Sequence, residues 1–141
     1  MSPTDSIQAA QGLFADTSQG PRLLGSRCAT CSTAYFPRSI GCHNPDCDDS
    51  KMEDATFGPR GRLWSVSIAN YPAPAPVVNP DPYVPFAVGL VDLPEGLRVL
   101  GRLLSDDPEA IEVGSEVELV LAPLGHDESG AEVISWQFKP L

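Results

Sequence analysis

The chain has 141 residues, of which 42% are hydrophobic and 20% charged, and this suits one ordinary folded domain or two very small ones. Its formal net charge of −10 disfavours nucleic acid as the main ligand, because a phosphate backbone is held by summed positive charge. No apolar run approaches the ~18 residues that would cross a bilayer, and the N-terminus lacks the features of a secretory signal. We therefore expect a cytoplasmic protein without a membrane partner, whose paired cysteines are metal ligands and not disulfides.

The charge is unevenly distributed along the chain. Residues 1–62 hold six basic and seven acidic residues, whereas residues 63–141 hold three basic and twelve acidic residues. An anionic ligand is therefore expected to meet the N-terminal half.

Residues 1–20 are predicted to form an N-terminal arm. The stretch from Asp5 to Phe14 favours a short helix, with Thr4 or Asp5 as its N-cap. The arm either frays or docks on a neighbouring protein.

Residues 21–57 contain all four cysteines and are predicted to form a zinc ribbon. Two residues separate the first cysteine pair and four separate the second, which is the spacing of two metal-binding knuckles. Strand-like runs at 21–26 and 33–37 flank the first knuckle, and residues 52–57 favour a further strand. The alternatives are a ligand set that includes His43, and a site that has lost its metal or uses disulfides. The predicted Zn²⁺ ligands are Cys28, Cys31, Cys42 and Cys47.

The predicted metal site is structural. So short a ribbon has little core, and the metal has to supply its folding energy. A closed four-thiolate site leaves no open position for water or substrate, so it does not indicate catalysis.

Residues 58–141 predict a five-stranded OB-fold barrel, so the fold class is mainly β. Five short runs favour strands: three alternate apolar and polar residues, the runs at 84–93 and 97–104 are largely apolar, and a helical turn at Asp107–Ala110 falls between the third and fourth run. Gly89 and Gly101 fall inside strands, where a small barrel bends. The alternating apolar residues of the first, fourth and fifth runs are Trp64, Val66 and Ile68; Val117, Leu119 and Leu121; and Ile134, Trp136 and Phe138.

A proline-rich loop at residues 71–86 interrupts the barrel pattern. It holds six prolines, which make it extended and stiff, and it is also apolar. It either folds back over one end of the barrel or docks on a partner protein. The predicted interface residues are Tyr71, Pro74, Pro76, Val77, Val78, Tyr83 and Phe86.

The sequence offers no catalytic residues. The thiols are assigned to the metal, His126 lies in a polar turn, and no nucleophile elbow or phosphate loop occurs. Arg38, Arg60 and Arg62 flank the ribbon and its junction with the barrel. They are either ordinary surface arginines or contacts for the phosphates of a nucleotide-like cofactor.

Several segments together resemble one known family. The segments 24–31, 35–38, 61–66, 82–91, 95–99, 113–117 and 136–140 resemble the zinc-ribbon/OB-fold proteins catalogued as domain of unknown function thirty-five. The likeness runs from about residue 21 to the C-terminus. The spacing Cys42-x4-Cys47 departs from the family, which usually has a two-residue gap.

The resemblance implies a function. Such proteins have a rubredoxin-like ribbon and accompany thiolase-superfamily enzymes that act on acyl-CoA, as in steroid side-chain aldolases, benzoylsuccinyl-CoA thiolase and acyltransferase complexes. The partner holds the catalytic groups, and the ribbon/OB subunit stabilises it and shapes the CoA entrance. We expect a subunit, with structural Zn²⁺ and no catalytic residues of its own, in a hetero-oligomer (such as a heterotetramer) that cleaves or forms C–C bonds.

Two other functions compete with this expectation. One is a stand-alone acyl-CoA-binding module. The other is a single-stranded nucleic-acid module, since OB-folds serve that role. The net charge opposes the second, as does the expected absence of basic residues interleaved with aromatic residues on the strands.

Overall fold

Ten strands and one short 3-10 helix make up the part of the chain that the computed structural model describes, residues 6–9, 12–74, 77–79 and 81–141. Within these ranges no helix has the length and apolar character needed to span a membrane. The 3-10 helix is Pro108–Ala110. The strands are β1 (Ser6–Gln8), β2 (Phe14–Thr17), β3 (Gly20–Cys28), β4 (Ala34–Tyr35), β5 (Met52–Phe57), β6 (Arg60–Ala69), β7 (Phe86–Asp92), β8 (Arg98–Leu103), β9 (Glu116–His126) and β10 (Glu132–Pro140).

The ribbon sheet is organised around β3, which pairs antiparallel with β2, β4 and β5. Phe14, Leu23 and Phe57 meet at one register position and are all buried. The predicted strands at 21–26 and 52–57 are confirmed, whereas the predicted run at 33–37 is a strand only at Ala34–Tyr35. Because β3 ends at Cys28, the sheet holds the first knuckle at a defined position.

Strands β6 to β10 form the predicted closed five-stranded barrel, in the order β10-β8-β7-β6-β9, with β9 pairing back onto β10. The helical turn predicted between the third and fourth barrel strands is the 3-10 helix. Each barrel strand contributes buried apolar side chains to the core. Examples are Leu63, Val91, Leu103, Leu119 and Phe138.

The predicted N-terminal helix is wrong. Ser6–Gln8 form β1, which runs parallel to β10, and Ala9 N–H donates to the carbonyl of Ile134 at 2.7 Å. The proposed caps Thr4 and Asp5 lie outside the described residues. A helix this short is marginal in water, whereas β10 offers the segment backbone hydrogen bonds and the core offers Phe14 a buried position.

A bulge in β6 overturns the predicted role of Trp64. The pairing of β6 with β7 shifts register between Leu63 and Ser65, so that Trp64 is the extra residue. Leu63 is buried, Val66 and Ile68 pack against the core, and Trp64 is 50% exposed. The predicted alternation therefore holds for Val66 and Ile68 but not for Trp64, because one extra residue moves a side chain to the opposite face.

Ribbon and barrel share one hydrophobic core. Trp136 of β10 makes edge-to-face contacts with Phe14 at 5.8 Å and with Phe36 at 5.6 Å, measured between ring centroids. The β10 strand thus joins both sheets into a single packed unit.

Two strand glycines are explained by close packing. A Cβ atom at Gly89 would stand 2.6 Å from Leu63 Cδ1, and one at Gly101 would stand 2.7 Å from the Phe138 ring. The large core side chains occupy the space that these glycines leave.

Candidate functional site

The four cysteines converge at the tip of the ribbon. Cys28 ends β3, Cys31 lies in the turn that follows, and Cys42 and Cys47 lie between β4 and β5. All four sulfur atoms lie within 4.8 Å of one another. The Cys28–Cys47 distance is 3.8 Å and the Cys31–Cys42 distance is 3.5 Å.

This geometry fits Zn²⁺. Four thiolates at the usual Zn–S distance of ~2.3 Å in a tetrahedron stand about 3.8 Å apart. The predicted wide spacing of the second pair therefore does not prevent its sulfurs from meeting the first pair. The alternative ligand His43 is turned to other partners, since its Nε2 lies 3.0 Å from Ser39 Oγ and its side chain is not part of the sulfur cluster.

The pKa values of the Cys28 and Cys47 thiols are shifted in opposite directions. A backbone hydrogen bond from Lys51, with others from the knuckle, lowers the pKa of Cys28 to about 6. At Cys47 a backbone hydrogen bond from Asp49 favours the thiolate, but burial and hydrogen bonds with the other sulfurs outweigh it and raise the pKa to about 12. Four thiolates this close repel one another, and a divalent cation removes that repulsion.

Two hydroxyl groups support the sulfur cluster. Thr33 Oγ1 lies 3.1 Å from Cys31 Sγ, and the Tyr35 hydroxyl lies 3.5 Å from Cys42 Sγ. Each hydroxyl oxygen also accepts an N–H hydrogen bond, from Asn44 Nδ2 at 3.2 Å and from His43 N at 2.7 Å respectively. Each hydroxyl therefore has an N–H partner for its oxygen and can still donate its own proton to a thiolate. Such partners orient ligands and strengthen metal binding.

The wide second knuckle has a structural use in this arrangement. His43 and Asn44 lie in the four-residue gap between Cys42 and Cys47, and they are the residues that bond the two hydroxyls. The departure from a two-residue gap therefore coincides with a hydrogen-bonded link between the second knuckle and the strand β4 region.

The three arginines predicted for CoA phosphates occupy two separate places. Arg38 lies on the ribbon, 3.1 Å from Asp54, and donates to the carbonyl of Gly12 at 2.9 Å. Arg60 and Arg62 lie on β6 and line a surface cavity of about 390 Å³ with Asp92, Leu93 and Glu116. In the strand register Glu118 opposes Arg60, and Glu116 and Asp92 oppose Arg62.

The proline-rich loop is bonded to itself and to the barrel. Asn79 exchanges hydrogen bonds with the backbone of Ala73, and the Tyr83 hydroxyl donates to the carbonyl of Ala69 at 2.6 Å. The Asn79 carbonyl also lies close against Gly125 of β9. The loop thus folds back on the barrel, as one of the two alternatives expects.

The loop still leaves apolar surface in solvent. Tyr71 is 85% exposed and Val77 55% exposed, while Val78, Tyr83 and Phe86 are half-buried. Pro74 is exposed, and Pro76 lies outside the described residues.

Strands β6, β7 and β8 carry stacked arginine and aromatic side chains that the sequence reasoning missed. Arg98 lies 3.7 Å above the ring of Trp64, and Arg102 lies 3.8 Å above the ring of Phe86. The expected absence of basic residues interleaved with aromatic residues is therefore wrong. The period-two sequence from Arg98 through Leu100 and Arg102 already places these side chains on one face, but their aromatic partners come from other strands.

Within the described residues, the serine–histidine contact is the one between Ser39 Oγ and His43 Nε2, and there Ser39 Oγ donates to the carbonyl of Gly41 at 2.6 Å. The thiols belong to the sulfur cluster, and the exposed His126 has no hydrogen-bonded side-chain partner among those residues. The four cysteines can bind a metal ion, and the exposed apolar residues of the loop are available for contact with another protein.

Family models match both halves of the chain. The model described as ChsH2, rubredoxin-like zinc ribbon domain matches residues 21–53, and the model described as ChsH2, C-terminal OB-fold domain matches residues 55–122.

Known proteins resemble the chain over most of its length. A DUF35 domain-containing scaffold protein of Methanothermobacter thermautotrophicus is 35% identical over 84% of this chain and 86% of its own. The benzoylsuccinyl-CoA thiolase subunit BbsA of Thauera aromatica is 30% identical over 87% of this chain and 79% of its own. A solved structure described as Ltp2-ChsH2(DUF35) aldolase matches with a TM-score of 0.61 and 27% identity, over 84% of both chains.

Proposed function

Because the chain belongs to the DUF35 family, in which a ChsH2-type zinc ribbon precedes an OB-fold, we propose that it is the non-catalytic subunit of a thiolase-superfamily complex that acts on acyl-CoA. The observation that carries the proposal is its similarity, over more than four-fifths of its length, to a thiolase subunit and to a chain of an aldolase complex. In this proposal the catalytic centre lies on the partner chain, and Ser39, whose hydroxyl lies beside His43 and donates to the carbonyl of Gly41, has no catalytic role.

The proposed reaction class is cleavage or formation of a C–C bond. One relative is named a thiolase subunit and one structure an aldolase, and both types of reaction make or break a C–C bond close to a carbonyl group. In this proposal the chain forms a cytoplasmic hetero-oligomer, stabilises its partner and shapes the CoA entrance. A CoA ester of a steroid side chain is one candidate substrate.

Contact with CoA phosphates is proposed for Arg38, Arg60 and Arg62. Their neighbours limit how strongly the isolated chain can bind CoA. Asp54 pairs with Arg38, and carboxylates oppose both barrel arginines in the register. We therefore expect weak binding of CoA by this chain alone and tighter binding by the complex, in which the partner contributes further contacts.

The proline-rich loop is proposed to contribute to the partner interface through its exposed residues. Its internal hydrogen bonds hold Tyr71 and Val77 outward on a rigid support. A preformed loop loses little conformational entropy on docking.

Co-expression with the thiolase-superfamily protein encoded nearest to this gene in its genome tests the proposal. We expect the two to co-purify as one species in light scattering, and we expect release of CoA or acyl transfer to depend on both chains. The proposal is wrong if the two do not associate and the thiolase-like protein is stable and fully active alone. Calorimetry with CoA on the isolated chain tests the alternative of a stand-alone acyl-CoA binder, for which micromolar affinity would be expected.

A further inference from the structure

The outer surface of β8 and its neighbours presents an apolar strip edged by arginines. Along β8, alternate residues point away from the buried Val99 and Leu103. Leu90 of β7 opposes Leu100, and Trp64 stands beside them at the bulge of β6. We call this surface the β8 face, and its members are Trp64, Leu90, Arg98, Leu100, Arg102 and Leu104.

The β8 face leaves large apolar side chains in solvent. Leu100 is 59% exposed, Trp64 50% and Leu104 37%. Single exposed leucines are common, but here Leu100 opposes the half-buried Leu90 and Trp64 stands at the adjoining bulge. Several large apolar side chains exposed on one surface are the kind of feature that marks an interaction site.

Its charge differs from that of the rest of the barrel. Residues 63–141 carry only three basic side chains against twelve acidic ones, and two of the three are Arg98 and Arg102. Arg98 is neutralised by Asp92, at 2.6 Å. Arg102 forms no ion pair with the described carboxylates, so the face carries one uncompensated cation in an acidic domain.

Arg102 is already held in place and partly dehydrated. Its guanidinium stacks on Phe86, and burial lowers its pKa. Its Nε is buried without a hydrogen-bond partner among the described residues, and so is Oε1 of Gln137, its neighbour in the register. A carboxylate arriving at this guanidinium would therefore gain charge-assisted hydrogen bonds at a low ordering cost.

We propose that the β8 face docks the partner subunit, with an apolar side chain of the partner seated between Leu100 and Trp64 and a carboxylate on Arg102. This inference rests on the proposed function, since it assigns the surface through which that complex assembles. The face continues through Phe86 into the proline-rich loop, where Tyr83 packs edge-to-face on Phe86 at 6.0 Å. The loop residues Tyr71 and Val77 would lie at the rim of the same interface.

Nucleic acid is the main competitor, because OB-folds bind oligonucleotides on the corresponding strands. Here the aromatic rings that would stack on bases are covered by guanidinium groups, Arg98 on Trp64 and Arg102 on Phe86. The twelve acidic residues of the barrel segment also repel a phosphate backbone. A second copy docking face to face would bring two Arg102 cations together, which disfavours a symmetric dimer through this surface.

The test is the affinity of full-length variants for the purified thiolase-superfamily protein, measured by calorimetry. We expect Leu100→Asp and Arg102→Gln each to weaken binding about 30-fold, as for central interface residues. Val113→Asp is the matched control for the first, since Val113 is 60% exposed but lies outside the face. Lys139→Gln, at the third basic residue of segment 63–141, is the control for the second. Both controls should bind within about twofold of wild type.

The outcomes separate this inference from the proposed function. If the wild-type chain binds the partner and the two face variants bind as tightly as their controls, the β8 face is not the interface while the complex stands. If the wild-type chain does not bind the thiolase-superfamily protein at all, the proposed function is wrong, and the inference about the β8 face is wrong with it. Fluorescence anisotropy with labelled oligo(dT) and oligo(U) reassigns the face if wild type binds either one and Arg102→Gln abolishes it. The inference is also overturned if light scattering shows that the wild-type chain alone is a homodimer and that Leu100→Asp makes it a monomer.

Discussion

In residues 29–51, all of which the structure describes, no side chain is buried, whereas every barrel strand contributes at least one buried apolar residue. Residues 29–51 contain one strand, β4, of two residues, whereas the barrel strands are 6 to 11 residues long. They also differ in what stabilises them. Four sulfurs converge at the tip of the ribbon, whereas buried side chains such as Leu63, Val91 and Phe138 pack inside the barrel.

The difference shows how a segment without a core can share a domain with a packed barrel. The metal site substitutes for hydrophobic burial at the tip, and Phe14, Leu23 and Phe57 fasten the base of the ribbon to the barrel core. Perturbing the two regions should therefore have different and separable consequences.

The largest effect is expected from removing the metal ligands. Cys28→Ser, or chelation of the wild-type protein, should unfold residues 29–51, since zinc contributes about 10–16 kcal/mol in small zinc peptides. Wild type should contain one zinc per chain. Hydrogen exchange should become fast in residues 29–51 while β6 to β9 stay protected. Thr30→Ala, in the same knuckle but without a sulfur, serves as the control, and a metal-free protein with a protected tip would contradict the site.

A large effect is also expected from a cavity in the barrel. Phe138 is fully buried, and Phe138→Ala should lower the free energy of unfolding by about 3–5 kcal/mol because packing is lost and the site collapses only in part. Urea unfolding of the zinc-loaded protein measures this. Leu141→Ala, at a residue that is 61% exposed, should leave the midpoint unchanged. A small effect at Phe138 would mean that the barrel is not the stabilising core.

A moderate effect is expected from the hydroxyls beside the sulfurs. Thr33→Val and Tyr35→Phe each remove one O–H group near a thiolate, and partners of this kind contribute about 10- to 100-fold to metal affinity. Transfer of zinc to a chromogenic chelator should be correspondingly faster. Thr30→Val is the control of equal size change, and wild-type rates in both variants would show that the hydroxyls do not support the site.

The smallest effect is expected at the Asp92–Arg98 pair on the barrel surface. The hydrogen bond from Arg98 lowers the pKa of Asp92 below its ordinary value. The pair therefore stabilises the fold above the unfolded-state pKa of about 3.9, and this contribution disappears as the pH falls through the lower folded-state pKa. The difference in melting temperature between wild type and Asp92→Asn should be small at pH 7 and vanish in acid. A difference in melting temperature that grows as the pH falls would contradict a stabilising pair with a lowered Asp92 pKa.

Local patterns in the sequence were sufficient for the metal ligands and most of the barrel. Cysteine spacing predicted the four residues whose sulfurs meet within 4.8 Å. Period-two alternation predicted strands β6, β9 and β10, apolar runs bounded by turns predicted β7 and β8, and Asp107 followed by Pro108 predicted the helical turn between β8 and β9. These signals are local, because a knuckle is one turn and a strand's two faces follow from alternate residues.

Long-range pairing decided the rest. Residues 6–8 form a strand because they pair with the backbone of β10. Trp64 faces away from the core because one extra residue in β6 shifts the register of β6 with β7. The neighbours of each arginine were decided in the same way. Asp92 and Glu116 flank Arg62 across two different strands, and Trp64 reaches Arg98 from a strand more than thirty residues away. The sequence by itself determined which segments are strands and which residues can hold zinc, whereas only the tertiary structure decided which side chains share a face, since strand register joins residues that no local pattern connects.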